Sequence, residues 1–178
     1  MITAAQSIPA GNYTAGDGVT YAGLPAFCRV AATLKPTSES DIKVEMWMPS
    51  APGAWNGRFV GTGNGGYAGA IIYAELASTL SLGFAVVNTD MGTSPSTVLD
   101  GKPLTGFPQK QIDFGYRSTH VMTIAGKAIT QAFYGRTPRY SFFTGCSTAA
   151  ARPCTRRSSS RTIMMASLAA RRPRTGRT

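Results

Sequence analysis

The chain has 178 residues, of which 43% are hydrophobic and 15% are charged. This length and composition are typical of one globular domain with a core of its own, and they exclude an intrinsically disordered chain. No apolar run approaches the ~20 residues that a membrane-spanning helix requires. The first residues lack the basic and apolar regions of a signal peptide, so we expect no membrane span and no leader in the sequence as it stands.

The formal net charge of +10 is concentrated at one end of the chain. Residues 1–150 carry ten Lys or Arg and eight Asp or Glu, a balance of +2, whereas residues 151–178 carry eight Arg and no acid. A basic tail of this kind is one signature of nucleic-acid binding. A basic nucleic-acid-binding protein that acts through residues 151–178 is therefore one hypothesis for function.

The first part of the chain predicts extended structure. Residues 1–27 are rich in Gly, Thr and Ala, and they favour an extended entry with an edge strand. Residues 28–36 have the composition of a strand. Apolar and polar residues alternate from Ile42 to Pro49, which predicts a half-buried strand.

A glycine-rich stretch follows a short apolar run in which only Phe59 and Val60 favour a strand. Gly61, Gly63 and Gly66 fit the pattern G-x-G-x-x-G, a helix-like segment covers residues 68–82, and an apolar strand at 84–87 leads to Asp90. This layout is compatible with a dinucleotide-binding oxidoreductase that uses residues 61–66. Two other interpretations stay open: backbone N–H groups of Gly65 and Gly66 could form half of an oxyanion hole, or the glycines form a plain turn.

The second half of the chain alternates helix and strand. Residues 91–110 predict a loop, and an amphipathic helix follows, with Ser118 as its candidate N-cap and Gly135 at its end. The single histidine, His120, lies at the start of this helix, where a structural hydrogen-bonding role is favoured over catalysis. The order of elements predicts an α/β fold.

An aromatic strand at residues 140–144 ends in Gly145, and Ser147 follows two positions later. This is the beginning of the G-x-S-x-G nucleophile elbow, in which a sharp turn between strand and helix exposes a serine hydroxyl. The fifth position holds Ala149 in place of glycine. Serines after glycines are common, so the elbow alone is compatible with an ordinary polar turn.

Taken together, the motifs resemble those of the tannase/feruloyl esterase family of serine esterases. The matching stretches occur in order over residues 20–148 and are Leu24–Val30, Trp55–Phe59, Gly63–Gly66, Thr89–Gly92, Asp113–Arg117 and Gly145–Thr148. The resemblance implies the N-terminal portion of an α/β-hydrolase fold, with a mixed, mostly parallel sheet and flanking helices. It also implies a Ser-Asp-His triad that cleaves esters of hydroxycinnamic or gallic acids.

Functional residues follow from the resemblance. Ser147 would be the nucleophile, and the N–H of Thr148 together with that of Gly65 or Gly66 would form the oxyanion hole. Cys146 would form a disulfide to a cysteine beside the catalytic histidine, and Cys28 would form one to a cysteine upstream. Thr93 stands where the family usually has histidine.

The chain departs from the family pattern directly after the elbow, where Gly-Gly-Arg-Gln is expected and residues 149–152 read Ala-Ala-Ala-Arg. A GC-rich family sequence read with one nucleotide lost gives residues 149–166 as they stand, and it explains the acid-free basic tail. We interpret residues 1–148 as a partial hydrolase domain and residues 149–178 as a disordered tail produced by a frameshift.

Several expectations follow from this interpretation. The triad Asp and His, the lid domain and the family calcium site would be missing, so the chain would be an inactive fragment with no cofactor or metal. Its partner would be a small aromatic ester, with no nucleic acid or membrane involved. Met1 would be an internal start, and the family implies a secreted or periplasmic protein.

Overall fold

The computed structural model describes residues 1–67, 69–97 and 99–145, together with the backbone of residues 166–168. Its centre is a sheet with the strand order β1-β4-β5-β7-β6-β8-β9, and β2 and β3 form a separate hairpin. The strands are β1 (Ile2–Ile8), β2 (Gly11–Thr14), β3 (Thr20–Leu24), β4 (Phe27–Leu34), β5 (Ile42–Pro49), β6 (Arg58–Thr62), β7 (Ala85–Thr89), β8 (Tyr140–Thr144) and β9 (Ala166–Leu168).

The sheet is mixed, with most of its described strands parallel. β4 and β7 both pair antiparallel with β5, while β6 pairs parallel with β7 and β8, and β8 pairs parallel with β9. Within the described sheet, β4, β6, β7, β8 and β9 therefore run one way, and β1 and β5 run the other. The predicted mixed, mostly parallel α/β sheet is confirmed.

Helices cover both faces of the sheet. Helix α1 (Tyr73–Ser81) connects β6 to β7, and helix α3 (Ser118–Tyr134) connects β7 to β8. The chain reaches α3 through helix α2 (Pro108–Ile112) and a π-helical turn at Asp113–Arg117, after a 3₁₀ turn at Lys102–Leu104. Parallel strands require crossovers of this kind, because the chain must return to the end of the sheet at which the first strand began.

The side chains of β5 point alternately to the two faces of the sheet, and the core has one layer on each face. Val44, Met46 and Met48 are buried in the cluster that includes Met122 of α3. Trp47 is buried in the other cluster, where α1 contributes Leu76 and the β2–β3 hairpin packs. The two layers follow from the period of two in a strand, whose successive side chains point to opposite faces. The prediction that this strand is half-buried is wrong, because core clusters cover both of its faces and seven of its eight residues are buried.

Several predicted elements have different bounds. α1 begins at Tyr73 and not at residue 68. β6 continues through Gly61, which pairs with both β7 and β8, and through Thr62, which pairs with β8. The N-terminal stretch forms three strands, and the expected loop at 91–110 contains a 3₁₀ turn and the start of α2.

Ser118 is not an N-cap, because the preceding turn is helical and its hydroxyl donates to the carbonyl of Asp113 at 2.8 Å. The predicted end of α3 at Gly135 is confirmed, since this residue has a φ of 67°.

After Gly145 the structure describes only the backbone of Ala166–Leu168, which forms β9 and pairs parallel with β8. Residues 146–165 and 169–178 lie outside the described residues. The proposed boundary at residue 148 and the disordered tail therefore stay predictions.

No helix among the described residues is both long enough and apolar enough to cross a membrane.

Candidate active site

The carboxyl ends of β6 and β8 lie side by side. Thr62 pairs with Thr144 across the two strands, and the Gly63 N–H donates to the Thr144 carbonyl at 2.9 Å. The glycine stretch 63–66 and the stretch that leads to Ser147 therefore leave the sheet from adjacent positions. In parallel α/β sheets, ligands bind at such carboxyl ends.

The predicted site residues fall in three groups. Gly65 and Gly66 lie in the loop after β6, beside the end of β8. Cys146, Ser147 and Thr148 lie outside the described residues, and Gly145 is the last residue described before them.

Cys28 lies elsewhere in the sheet. It pairs with Met48 near the start of β4, three strands away from β6, and it forms no disulfide among the described residues. Burial raises the pKa of this thiol. The structure therefore does not bring Cys28 to the candidate site.

Asn64 holds the beginning of the glycine loop. Its buried side chain donates from Nδ2 to the carbonyls of Ala70 and Thr89, each at 2.8 Å. The first bond closes the loop on itself and the second ties it to the end of β7. Because both acceptors are backbone groups on different segments, the loop has a defined position beside β7.

Asn88 also holds the glycine loop against β7, and the sequence patterns did not single it out. It is fully buried on β7, donates from Nδ2 to the Thr62 hydroxyl at 2.7 Å and to Asn64 Oδ1 at 3.1 Å, and accepts from the Ile72 N–H at 2.9 Å. An asparagine directly after an apolar strand was the available signal. A buried amide with its hydrogen bonds satisfied fixes the strands and loop around it.

The turn after β7 is fixed by Asp90. Its Oδ1 accepts backbone N–H bonds from Lys43 and Gly92, both at 2.9 Å. Met91 within the turn has a φ of 62°. Burial raises the pKa of the Asp90 carboxyl to about 6, although the two backbone N–H groups act in the opposite direction.

This geometry does not support the dinucleotide hypothesis. The Asp90 carboxylate, which would have to meet a ribose, instead accepts bonds from the protein's own backbone. Gly61 is a strand residue, and a Cβ there would lie 3.2 Å from Met122 Cε and from a Phe143 ring carbon. A phosphate-binding glycine requires an open approach to its backbone, which Gly61 lacks.

A buried ion pair lies at the start of the π-helical turn. Asp113 is fully buried, and its Oδ1 lies 3.3 Å from Arg117 Nη1, while Arg117 Nη2 donates to Gln109 at 2.7 Å. Sequence reasoning had included these residues in a family motif without giving them a role. His120 is half-buried in the first turn of α3, and its structural role stays a prediction.

The fold and the site define the N-terminal part of an α/β-hydrolase. The strand order places the glycine loop after β6 beside β8, the strand that directly precedes Gly145, as that fold requires. Among the described residues, no group of three or more His, Cys, Asp or Glu side chains is arranged to hold a metal ion.

Comparisons with known proteins agree with this class. The family model described as tannase and feruloyl esterase matches residues 28–152. An uncharacterized esterase of Xanthomonas campestris is 40% identical over 146 residues, which cover 82% of this chain and 25% of that protein. A probable feruloyl esterase B-2 of Aspergillus flavus is 42% identical over 123 residues, covering 67% of this chain and 22% of the relative.

Solved structures give the same result. Feruloyl esterase B from Aspergillus oryzae superposes with a TM-score of 0.75 at 33% identity, covering 84% of this chain and 29% of that one. Tannin acyl hydrolase from Aspergillus niger superposes with a TM-score of 0.58 at 20% identity, covering 83% and 28%, which shows the shared fold alone.

The chain belongs to the tannase and feruloyl esterase family, as the sequence motifs predicted. It spans about a quarter of the length of the curated relatives it matches. The comparisons lend no support to a nucleic-acid-binding protein, and apart from the backbone of 166–168 the basic stretch 151–178 lies outside the described residues.

Proposed function

We propose that this chain is part of a serine carboxylic-ester hydrolase in which Ser147 is the nucleophile. One observation carries the proposal: the Gly63 N–H bonds to the Thr144 carbonyl, so the glycine loop and the stretch leading to Ser147 begin from the same point of the sheet. Ser147 comes three positions after Thr144, and Gly65 and Gly66 come two and three positions after Gly63. The serine and the two glycines therefore lie within about 11 Å of the two residues that this bond joins, by chain length alone.

The chemistry proposed is acyl transfer. The Ser147 hydroxyl gives its proton to a histidine as its oxygen attacks the ester carbonyl, and the carbonyl oxygen becomes an oxyanion. N–H groups of Thr148 and of Gly65 or Gly66 stabilise that oxyanion. The alcohol leaves with the proton from the histidine, and water then releases the acid from Ser147. Each N–H donor contributes about 3 kcal/mol to the lowering of the barrier.

The substrates proposed are aromatic esters of hydroxycinnamoyl or galloyl type. The names of the feruloyl esterase relatives, at about 40% identity, support this choice. Family membership also supports a disulfide from Cys146 to a cysteine beside the histidine, and a secreted or periplasmic location in which that bond persists.

The acid and the histidine of the triad are proposed to come from sequence that residues 149–178 do not contain. This stretch has no Asp, Glu or His. The family match ends at residue 152, four residues after the proposed oxyanion donor Thr148, which supports a shifted reading frame beyond the elbow. We therefore propose that the 178-residue chain itself does not hydrolyse esters and that the frame-restored protein does.

Two measurements test the proposal. The gene is sequenced across the codons for residues 147–161, and the frame-restored protein is assayed for hydrolysis of a methyl hydroxycinnamate. Recovery of Gly-Gly-Arg-Gln after Thr148, together with hydrolysis that Ser147→Ala abolishes, is the expected result. An unaltered gene with no family continuation in another frame would refute the frameshift, and hydrolysis that survives Ser147→Ala would refute the assignment of the nucleophile.

A further inference from the structure

The carbonyl oxygen of Tyr67 is held by two side-chain hydroxyl groups from the loop after β7. Tyr67 directly follows Gly65 and Gly66 in the chain. The Thr93 hydroxyl lies 3.2 Å from this carbonyl oxygen, and the Ser96 hydroxyl makes a short hydrogen bond to it. We propose that Thr93 and Ser96 are positioning residues that hold the oxyanion-hole glycines in place, an inference that rests on the function proposed above.

The two loops are joined by backbone as well. The Gly69 N–H donates to the Ser96 carbonyl at 3.1 Å. A Cβ on Gly69 would lie 2.6 Å from the Ser94 nitrogen and 2.7 Å from the Ser96 hydroxyl oxygen, so the two segments approach more closely than any side chain permits. The loop that contains Gly65 and Gly66 therefore lies directly against residues 93–96.

Thr93 is itself fixed by the turn after β7. It is buried, with 1% of its surface exposed, and its N–H donates to the Asp90 carbonyl at 3.2 Å. Its hydroxyl lies between two acceptors, the Asp90 carbonyl at 3.1 Å and the Tyr67 carbonyl at 3.2 Å, which share its one proton. Asp90 in turn accepts bonds from the Lys43 and Gly92 N–H groups. The hydroxyl that meets Tyr67 is thus anchored to β5 and β7 through the Asp90 turn.

Glycines need such an anchor if their N–H groups are to stabilise a charge. Gly66 has a φ of 57°, and a Cβ on Gly65 would meet no atom within 4 Å, so neither glycine has a side chain that could fix its own position. Glycine loses more conformational freedom on ordering than any other residue. Asn64 fixes the chain before the two glycines, and the Tyr67 carbonyl fixes it after them. An N–H donor that is preorganised for the oxyanion requires the chain to be fixed on both sides, at Asn64 and at Tyr67.

The first test measures backbone order in the 178-residue chain, where it does not depend on catalysis. The variant Thr93→Val with Ser96→Ala removes both hydroxyl groups and retains most of the side-chain volume. NMR order parameters of the Gly65 and Gly66 amides are expected to fall from about 0.85 to below about 0.6, and Thr93→Ser alone is expected to preserve them. Thr130→Val is the control, because that buried hydroxyl also donates to a carbonyl, at 2.7 Å, but does so within α3.

The second test measures catalysis in the frame-restored protein. The same double variant is expected to lower kcat for a methyl hydroxycinnamate by tenfold to a hundredfold, roughly the loss that a displacement of about 1 Å produces. KM should change by less than about twofold, because the loop acts on the transition state. Thr130→Val should leave both constants unchanged.

The outcomes separate this inference from the proposed function. Unchanged order parameters of Gly65 and Gly66 in the double variant would overturn the positioning role whether or not the protein hydrolyses esters. Loosened glycines with an unchanged kcat would also overturn it. If the frame-restored protein hydrolyses no ester while the glycines loosen as expected, the esterase proposal fails and the anchoring of the loop by Thr93 and Ser96 stands.

Discussion

Replacement of Asp90 by asparagine is expected to stabilise the fold at neutral pH and to have little effect in acid. Burial raises the pKa of this carboxyl from its usual 3.8 to about 6 in the folded chain. The residue is 2% exposed, and its Oδ2 has no hydrogen-bond partner among the described residues. The folded state therefore disfavours the charged form, and asparagine removes that charge while keeping an oxygen for the N–H groups of Lys43 and Gly92.

The magnitude follows from linkage between proton binding and folding. Because the pKa is raised on folding, the stabilising contribution of the protonated carboxyl is fully present below about pH 4 and is lost as the pH rises through about 6. At 1.36 kcal/mol for each pH unit between the two pKa values, ionisation of Asp90 costs about 3 kcal/mol at pH 8. The stability difference between Asp90→Asn and the wild type should grow from near zero at pH 3.5 to about 3 kcal/mol at pH 8.

Urea unfolding followed by tryptophan fluorescence measures this difference, because Trp47 and Trp55 are both buried. Asp41→Asn is the control. Its carboxylate is half exposed and lies 2.9 Å from Lys43 Nζ, a hydrogen bond that lowers the pKa of Asp41, so this variant should lose at most about 1 kcal/mol above pH 4. A stability gain in Asp90→Asn that is the same at every pH would contradict a pKa of Asp90 that folding raises.

Two further predictions concern stability. Glu45→Ala should lower the free energy of unfolding by about 3–5 kcal/mol, because Glu45 is 2% exposed and accepts two hydrogen bonds from Arg29, at 2.6 and 2.7 Å. A loss of less than about 1 kcal/mol in urea unfolding would contradict a buried ion pair. Gly69→Ala should lower the free energy of unfolding by about 1–3 kcal/mol, since the added Cβ would lie 2.6 Å from the Ser94 nitrogen. Gly65→Ala is the control and should lower it much less, because a Cβ there meets no atom within 4 Å. Equal shifts of the thermal unfolding midpoint in the two variants would argue against close contact between the loops.

Local patterns were sufficient to predict the main strands and the last helix. The alternation from Ile42 to Pro49 gives the bounds of β5 as observed, and the glycine after Tyr134 gives the end of α3. In both cases the signal lies within the element, where a strand or helix period and a left-handed glycine act directly.

The bonds that hold the candidate site could not be predicted in this way. Asn88 and Asn64 meet across 24 residues, and the Asp90 carboxylate meets the Lys43 N–H across 47. No periodicity within a segment indicates such partners, because they depend on the order of strands in the sheet. The prediction for Ser118 failed for a related reason: a serine at a helix start is a cap only if the preceding residue leaves the helix, and Arg117 does not.

The glycine stretch shows how topology decides between sequence hypotheses. Its spacing fitted a dinucleotide motif as well as an oxyanion loop. The register of β6 against β8 places Gly63 beside Thr144, while Gly61 is packed within the sheet. The neighbouring strand therefore counts against the dinucleotide motif, and it is compatible both with the proposed oxyanion loop and with a plain glycine turn.

Covalent labelling shows directly whether Ser147 is a catalytic nucleophile. The frame-restored protein is treated with a fluorophosphonate, and its peptides are analysed by mass spectrometry, with Ser147→Ala and the 178-residue chain as controls. One phosphonylated residue, Ser147, is expected in the frame-restored protein alone, with loss of ester hydrolysis in proportion to labelling. Labelling at a different serine, or hydrolysis that persists when Ser147 is fully modified, would show that Ser147 is not the nucleophile.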